Sequence, residues 1–100
     1  IVAGETRAVH VHAQEGRAAD VEARWRDTLG ESAWILSRDQ MGALIGPGDG
    51  ASIVGDLLVL ARGNGGIVDS RTQSASAIAM PGVHGSLTPT EMRIPVIVLA

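Results

Sequence analysis

The chain has no cysteine, no phenylalanine and no tyrosine among its 100 residues, and only two tryptophans. Without cysteine there is no disulfide framework, no thiolate zinc site and no thiol nucleophile, so any metal must be held by His, Asp or Glu. With Trp25 and Trp34 as the only aromatic side chains, the core falls to Ala, Val, Ile and Leu. Such a core is thin, because aromatic groups normally supply much of the buried area. An excess of positive charge is also missing: the formal net charge is −3 and the arginines are scattered. That excludes the basic stripe that tracks a nucleic-acid backbone, and no nucleic-acid duplex is expected as a partner. No apolar run reaches the roughly 18 to 20 residues that span a bilayer, so no membrane partner is expected either. The N-terminal stretch lacks the basic-then-apolar layout of a signal peptide, which leaves the compartment open, leaning to the cytoplasm.

A length of 100 residues suits one core and is too short for two independent ones. The first residue is Ile1, not Met, and the last, Ala100, falls inside an apolar run; both ends of the chain read as cut or processed. Within it, "TRAVHVHAQ" alternates as a half-buried strand, with Val9, Val11 and Ala13 on one face and Ala8, His10 and His12 on the other. In "AADVEARWRDTLG" Val21, Trp25 and Leu29 recur every four residues, which predicts a helix ended by Gly30. "AWILS" predicts a short strand, and Ser37 caps a short helix over "RDQMGALI", weakened at Gly42 by about 1 kcal/mol relative to alanine. "GPGDG" (residues 46–50) reads as a loop. "DLLVLARG" is a nearly continuous apolar strand, and "NGG" before "IVDS" predicts a tight hairpin into a second one. Residues 71–79 are small and polar, suited to a linker or a surface crossing.

The last twenty residues differ in character. Thr88, Pro89 and Glu91 fit the N-cap, N1 and N3 positions of a capping box, with Leu87 and Met92 placed as a hydrophobic staple. Pro95 forces Ile94 into an extended conformation and limits this helix to about one turn. The following "PVIVLA" is apolar at every position, the pattern of a strand buried on both faces. The elements before it are too few to cover both faces, which calls for a larger partner domain.

Three histidines carry the candidate chemistry. His84 stands between Gly82 and Gly85, just ahead of the capped turn, as a ligand would be held; an exposed turn histidine without a role fits the same spacing. His10 and His12 share a strand face and are spaced to share a metal ion, or simply make that face polar. Ser86, Thr88 and Thr90 have no adjacent general base to activate them, and Asp56 and Asp69 stand at expected strand ends. "GPGDG" and "GNGG" lack the Lys-Ser/Thr ending of a phosphate-cradling loop and read as turns.

The segment "GVHGSLTPTEMRIPVIVL" (residues 82–99) resembles the C-terminal signature of the alkaline phosphatase superfamily, in particular its type I phosphodiesterase and nucleotide pyrophosphatase branch. There a Gly-x-His-Gly run precedes a Thr-Pro-x-Glu-Met turn and an apolar strand. The resemblance implies an α/β parent fold, a two-metal site usually of zinc, and His84 as a ligand of one metal. Gly82, Gly85, Thr88 and Glu91 would then support the ligand loop. Residues 1–79 are similar, less distinctly, to a cap region that some bacterial members insert before this signature. The order of the expected elements is that of a small α+β module, and the resemblance makes it a cap-like one over residues 1–79; His10, His12 or Arg62 would then line a substrate entrance, a role that no family motif assigns to them. Residues 80–100 would supply the metal-ligand loop, the capped turn and a return strand of the core sheet. The family's nucleophilic Thr or Ser and its other metal ligands have no counterpart here. The expectation is thus the C-terminal portion of a metal-dependent phosphoester hydrolase, inactive alone, whose partners are the remainder of its own catalytic domain and a small phosphoester substrate. The competing expectation is a complete small α+β binding module that docks through its apolar C-terminal strand by edge addition, without catalysis.

Overall fold

The computed structural model describes residues 1–99; Ala100, the last residue of the expected return strand, lies outside them. Four strands form one antiparallel sheet: β1 (Val2–Glu5), β2 (Ala8–Val11), β3 (Ala33–Ser37) and β4 (Leu57–Ala61), in the spatial order β1-β2-β4-β3. Helix α1 (Ala18–Leu29) precedes β3 and helix α2 (Arg38–Ile45) follows it, while α3 (Ala75–Ile78) and α4 (Pro89–Met92) are single turns. This is a small α+β domain.

Strand β4 lies between β2 and β3, and all five of its residues are buried, as a continuous apolar run requires when both faces are covered. Its alternation divides the core. Leu57 and Val59 join Val9, Val11, Ala33 and Ile35 on one face, against Val21, Trp25 and Leu29 of α1. Leu58 and Leu60 join Met41 of α2 on the other, with Trp34, Leu36, Ala8 and Leu87 packed around them. The four-residue spacing of Val21, Trp25 and Leu29 therefore does what it predicts. Ser37 caps α2 through a capping box with Gln40.

Several expectations are corrected. The strand expected over "TRAVHVHAQ" is shorter, because Thr6 and Arg7 form the turn of a hairpin whose first strand, β1, carries no alternation to announce it. The hairpin expected at "NGG" does not form, since β2 and β3 already occupy both edges of β4. The chain instead crosses the β1–β2 turn: Ile67 donates its N–H to the Thr6 carbonyl at 2.8 Å. A Cβ on Gly66 would stand 2.6 Å from Thr6 Cγ2, so the glycine serves this crossing. Residues 71–79 are not merely a linker, because Ser74 caps α3 by accepting from the Ala77 N–H. The "GPGDG" loop gives way at Asp49 to a 3₁₀ turn, Asp49–Ser52.

Beyond Arg93 the chain forms no ladder among the described residues. Ile94, Val96, Ile97, Val98 and Leu99 are 76–89% exposed. The radius of gyration, 15.0 Å, exceeds the ~13 Å of an average 100-residue domain, as an apolar arm outside the packed body requires.

Candidate functional site

The loop that displays His84 is fastened to the sheet by side chains from both ends of the sequence. Gly85 has φ +105°, and a Cβ there would stand 3.3 Å from the Ala8 Cβ, so the chain turns tightly against β2 at a place only glycine suits. Gly82 has no such constraint: its φ lies outside the left-handed region and a Cβ would meet nothing, which removes the backbone reason for its expected supporting role. Ser86, 2% exposed, donates its hydroxyl to the Ala61 carbonyl at 2.6 Å at the end of β4. Leu87 enters the Met41–Leu60 cluster. Met92 remains 54% exposed.

The capping box of α4 forms as the sequence predicts, with Thr88 donating both its N–H and its hydroxyl to Glu91 Oε2. Glu91 has a second, long-range task. Arg7, in the β1–β2 turn, grips it with both ends of the guanidinium: Nε to Oε1 at 2.6 Å and Nη2 to Oε2 at 3.0 Å. The two side chains retain 8% and 12% of their exposure. The other Arg7 bonds run to the carbonyls of Gly65 and Ala61, and Oε1 also accepts from the Ser86 N–H. A paired, charge-assisted fork of this kind fixes orientation as well as distance. Its hydrogen bonds from Arg7 and then Thr88 hold the Glu91 carboxyl down at about 2.

On this anchored loop His84 points its imidazole outward. It is exposed, and among the described residues its ring makes no hydrogen bond or ion pair. One free imidazole fits one coordination position, whereas a zinc site takes three or four protein ligands. Among the described residues no group of three or more His, Cys, Asp or Glu side chains is gathered to hold a metal ion.

The remaining candidates separate. Arg62 lies in a cleft of about 680 Å³ that Val83 and Thr88–Glu91 also line, beside the His84 loop. Its guanidinium carbon stands 4.6 Å from the centroid of the Trp34 ring. Neither His10 nor His12 lines this cleft. His10 is half-buried, and its Nδ1 accepts the Gly55 N–H at 3.3 Å; burial, then the nearby His12, lowers its pKa below 6.5. His12 lines a second cleft, with Val21 and Trp25 of α1. Asp56 is engaged by the Ala13 N–H and Arg38, and Asp69 by Arg71. Ser86, spent on Ala61, is not poised as a nucleophile.

Arg7 and Trp34 are the residues that sequence reasoning missed. Arg7 meets a partner 84 positions away, and no local pattern announces such a contact. Trp34 was legible only as a strand residue. Comparison with known protein families, with curated proteins and with solved structures finds no match.

Proposed function

We propose that this chain is the C-terminal portion of a metal-dependent phosphoester hydrolase of the alkaline phosphatase type, in which His84 is a ligand of one of two metal ions, usually zinc, and the α+β module of residues 1–79 restricts substrate entry. The observation that carries this reading is the free, exposed imidazole of His84 on a loop that is tied down on its C-terminal side. Gly85, Ser86, Leu87, Thr88 and Glu91 are all engaged with the sheet or with one another, while His84 is left unengaged within the chain. The order of these residues is that of the family signature they resemble. The exposed arm of residues 94–99 fits a strand completed by the remainder of the catalytic domain, where its apolar faces would be covered.

In this role the chain supplies one neutral nitrogen ligand and a fixed loop. The Arg7–Glu91 clasp sets the distance between module and ligand, and the module narrows the approach. When bound, a pair of metal ions lowers the charge barrier to phosphoryl transfer and activates the attacking oxygen. The nucleophile and the other ligands belong to the rest of the enzyme. The test is His84→Ala in the full-length parent: loss of bound metal together with phosphodiester turnover supports the reading, and unchanged metal content and turnover refute it.

The second reading is a stand-alone module that adds its C-terminal segment to the edge of a partner's sheet. The observation in its favour is that the body has its own two-sided core without that segment. It expects a His84→Ala variant that still binds its protein partner and a chain indifferent to zinc.

A further inference from the structure

We propose that the cleft beside the His84 loop is an oxyanion-binding subsite, in which the Arg62 guanidinium, laid against Trp34, receives a carboxylate or phosphate group. Its volume, about 680 Å³, falls in the range of about 300–1,000 Å³ typical of small-molecule sites. The charge inventory decides its sign. Three charged side chains line it, Arg7, Arg62 and Glu91. Arg7 and Glu91 neutralise each other through their bidentate pair. Arg62 has no carboxylate partner among the described residues, so the cleft carries one uncompensated positive charge.

That charge is held in place before any ligand arrives. The Arg62 backbone is fixed at both ends, its N–H donating to the Ser32 carbonyl at 2.9 Å and its carbonyl accepting from Gly65 at 3.4 Å. The side chain rests on the indole of Trp34 at 4.6 Å. A cation–π contact takes up none of the guanidinium N–H donors, and among the described residues the Arg62 side chain makes no hydrogen bond or ion pair, so its planar fork is left to match the two oxygens of a carboxylate or phosphate. Asn64 and Thr90 line the same cleft and add neutral donors without opposing charge. Val83 puts the subsite next to His84. On the phosphoester reading, on which this last step rests, the substrate carries a second anionic group set apart from the reacting phosphorus.

The binding itself is testable on the 100-residue chain without metal. Sodium phosphate and sodium acetate are titrated in turn at constant ionic strength, held with sodium chloride, while the Arg62 Nε–H and Trp34 indole N–H resonances are followed. The expected result is a saturable shift of both, with a Kd on the order of tens of millimolar or weaker, because a single exposed charge-assisted fork adds little free energy. Arg62→Gln should weaken it at least ~5-fold, and Arg62→Lys, which keeps the charge and loses the fork, should weaken it too. Circular dichroism of each variant confirms the fold. A response to phosphate alone assigns the subsite to a phosphate group; a response to both assigns it to oxyanions generally. Shifts no larger than sodium chloride produces, or Arg62→Gln binding as tightly as the parent, overturn the proposal. His84→Ala should leave this binding unchanged, so a failure of the metal reading and a failure of the subsite are read on separate signals.

Discussion

Replacing Arg7 with Met tests whether the two ends of the chain are joined as the structure indicates. The substitution keeps most of the apolar stem and removes the guanidinium. It deletes both bonds to Glu91 and those to the carbonyls of Gly65 and Ala61. Ala61 retains the Ser86 hydroxyl, so the principal loss falls on the carboxylate, left in a pocket where it keeps only 12% of its exposure. Breaking one side of a buried pair is among the larger single-residue effects; in a domain of this size the scale corresponds to a Tm loss of roughly 10–20 °C. Glu91 keeps its Thr88 and Ser86 donors and its place at a helix N-terminus, which puts the expected loss near the lower figure, about 10 °C. Thermal unfolding followed by circular dichroism gives the Tm, and amide exchange at residues 84–92 reports whether the loop is released. A cycle with Glu91→Gln isolates the pair, because the two losses should be far from additive. A melting point within about 2 °C of the parent, where ordinary surface substitutions fall, with unchanged exchange in the loop, would refute the clasp.

Acid should weaken the same contact. Arg7 and then Thr88 hold the Glu91 carboxyl down at about 2 in the fold, below its ordinary value of 4.5, so the unfolded chain takes up the proton first, and the stabilisation, present above 4.5, fades as the pH falls toward 2. The stability difference between the parent and Glu91→Gln should shrink over that window, a comparison that cancels Asp69, which Arg71 also holds at about 2. His10 has a lowered pKa, and a histidine kept neutral by folding stabilises above its unfolded value and less below it. Its imidazole should show an NMR midpoint under 6.5, and His10→Gln should flatten stability just below pH 6.5. Ending the chain at Arg93 should leave the Tm within about 2 °C, since residues 94–99 lie outside the packed body, and should reduce self-association in sedimentation velocity. A large Tm loss on that truncation would mean that the arm packs on the sheet.

What the sequence made legible was local. Helix α1 follows from Val21, Trp25 and Leu29, α2 from the Ser37 cap, and α4 from Thr88, Pro89 and Glu91, each a signal contained within one or two turns of chain. Strand β4 was readable because a central strand buried on both faces is apolar throughout. Strand β1 was not, since an edge strand with one half-buried and three exposed residues needs no alternation. The false hairpin at "NGG" shows the limit most plainly. Those glycines carry a true signal for a turn or close approach, but the sequence does not say whether the approach is to a following strand or, as with Gly66 and Thr6, to a distant turn. That choice depends on the pairing of β2 and β3 with β4, which is a tertiary fact.

The candidate site divides along the same line. The capping box placed Glu91 at the start of a turn, and that requirement alone would be met by any exposed carboxylate or amide at N3. A cap does not explain why the carboxylate is nearly buried, or why it meets an arginine from the opposite end of the chain. One side chain closing a local turn and receiving a distant guanidinium makes the two structures interdependent: the turn presents Glu91 to Arg7 only when it is helical, and Arg7 rewards that state alone. Ser86, two residues from His84, is bonded to Ala61 and to the same carboxylate. The displayed imidazole therefore takes its position from the β1–β2 hairpin and the end of β4 as well as from its own loop. On the hydrolase reading, the module of residues 1–79 acts on the ligand loop through this contact, and Arg7→Met in the parent should weaken metal binding while the rest of the catalytic domain stays folded.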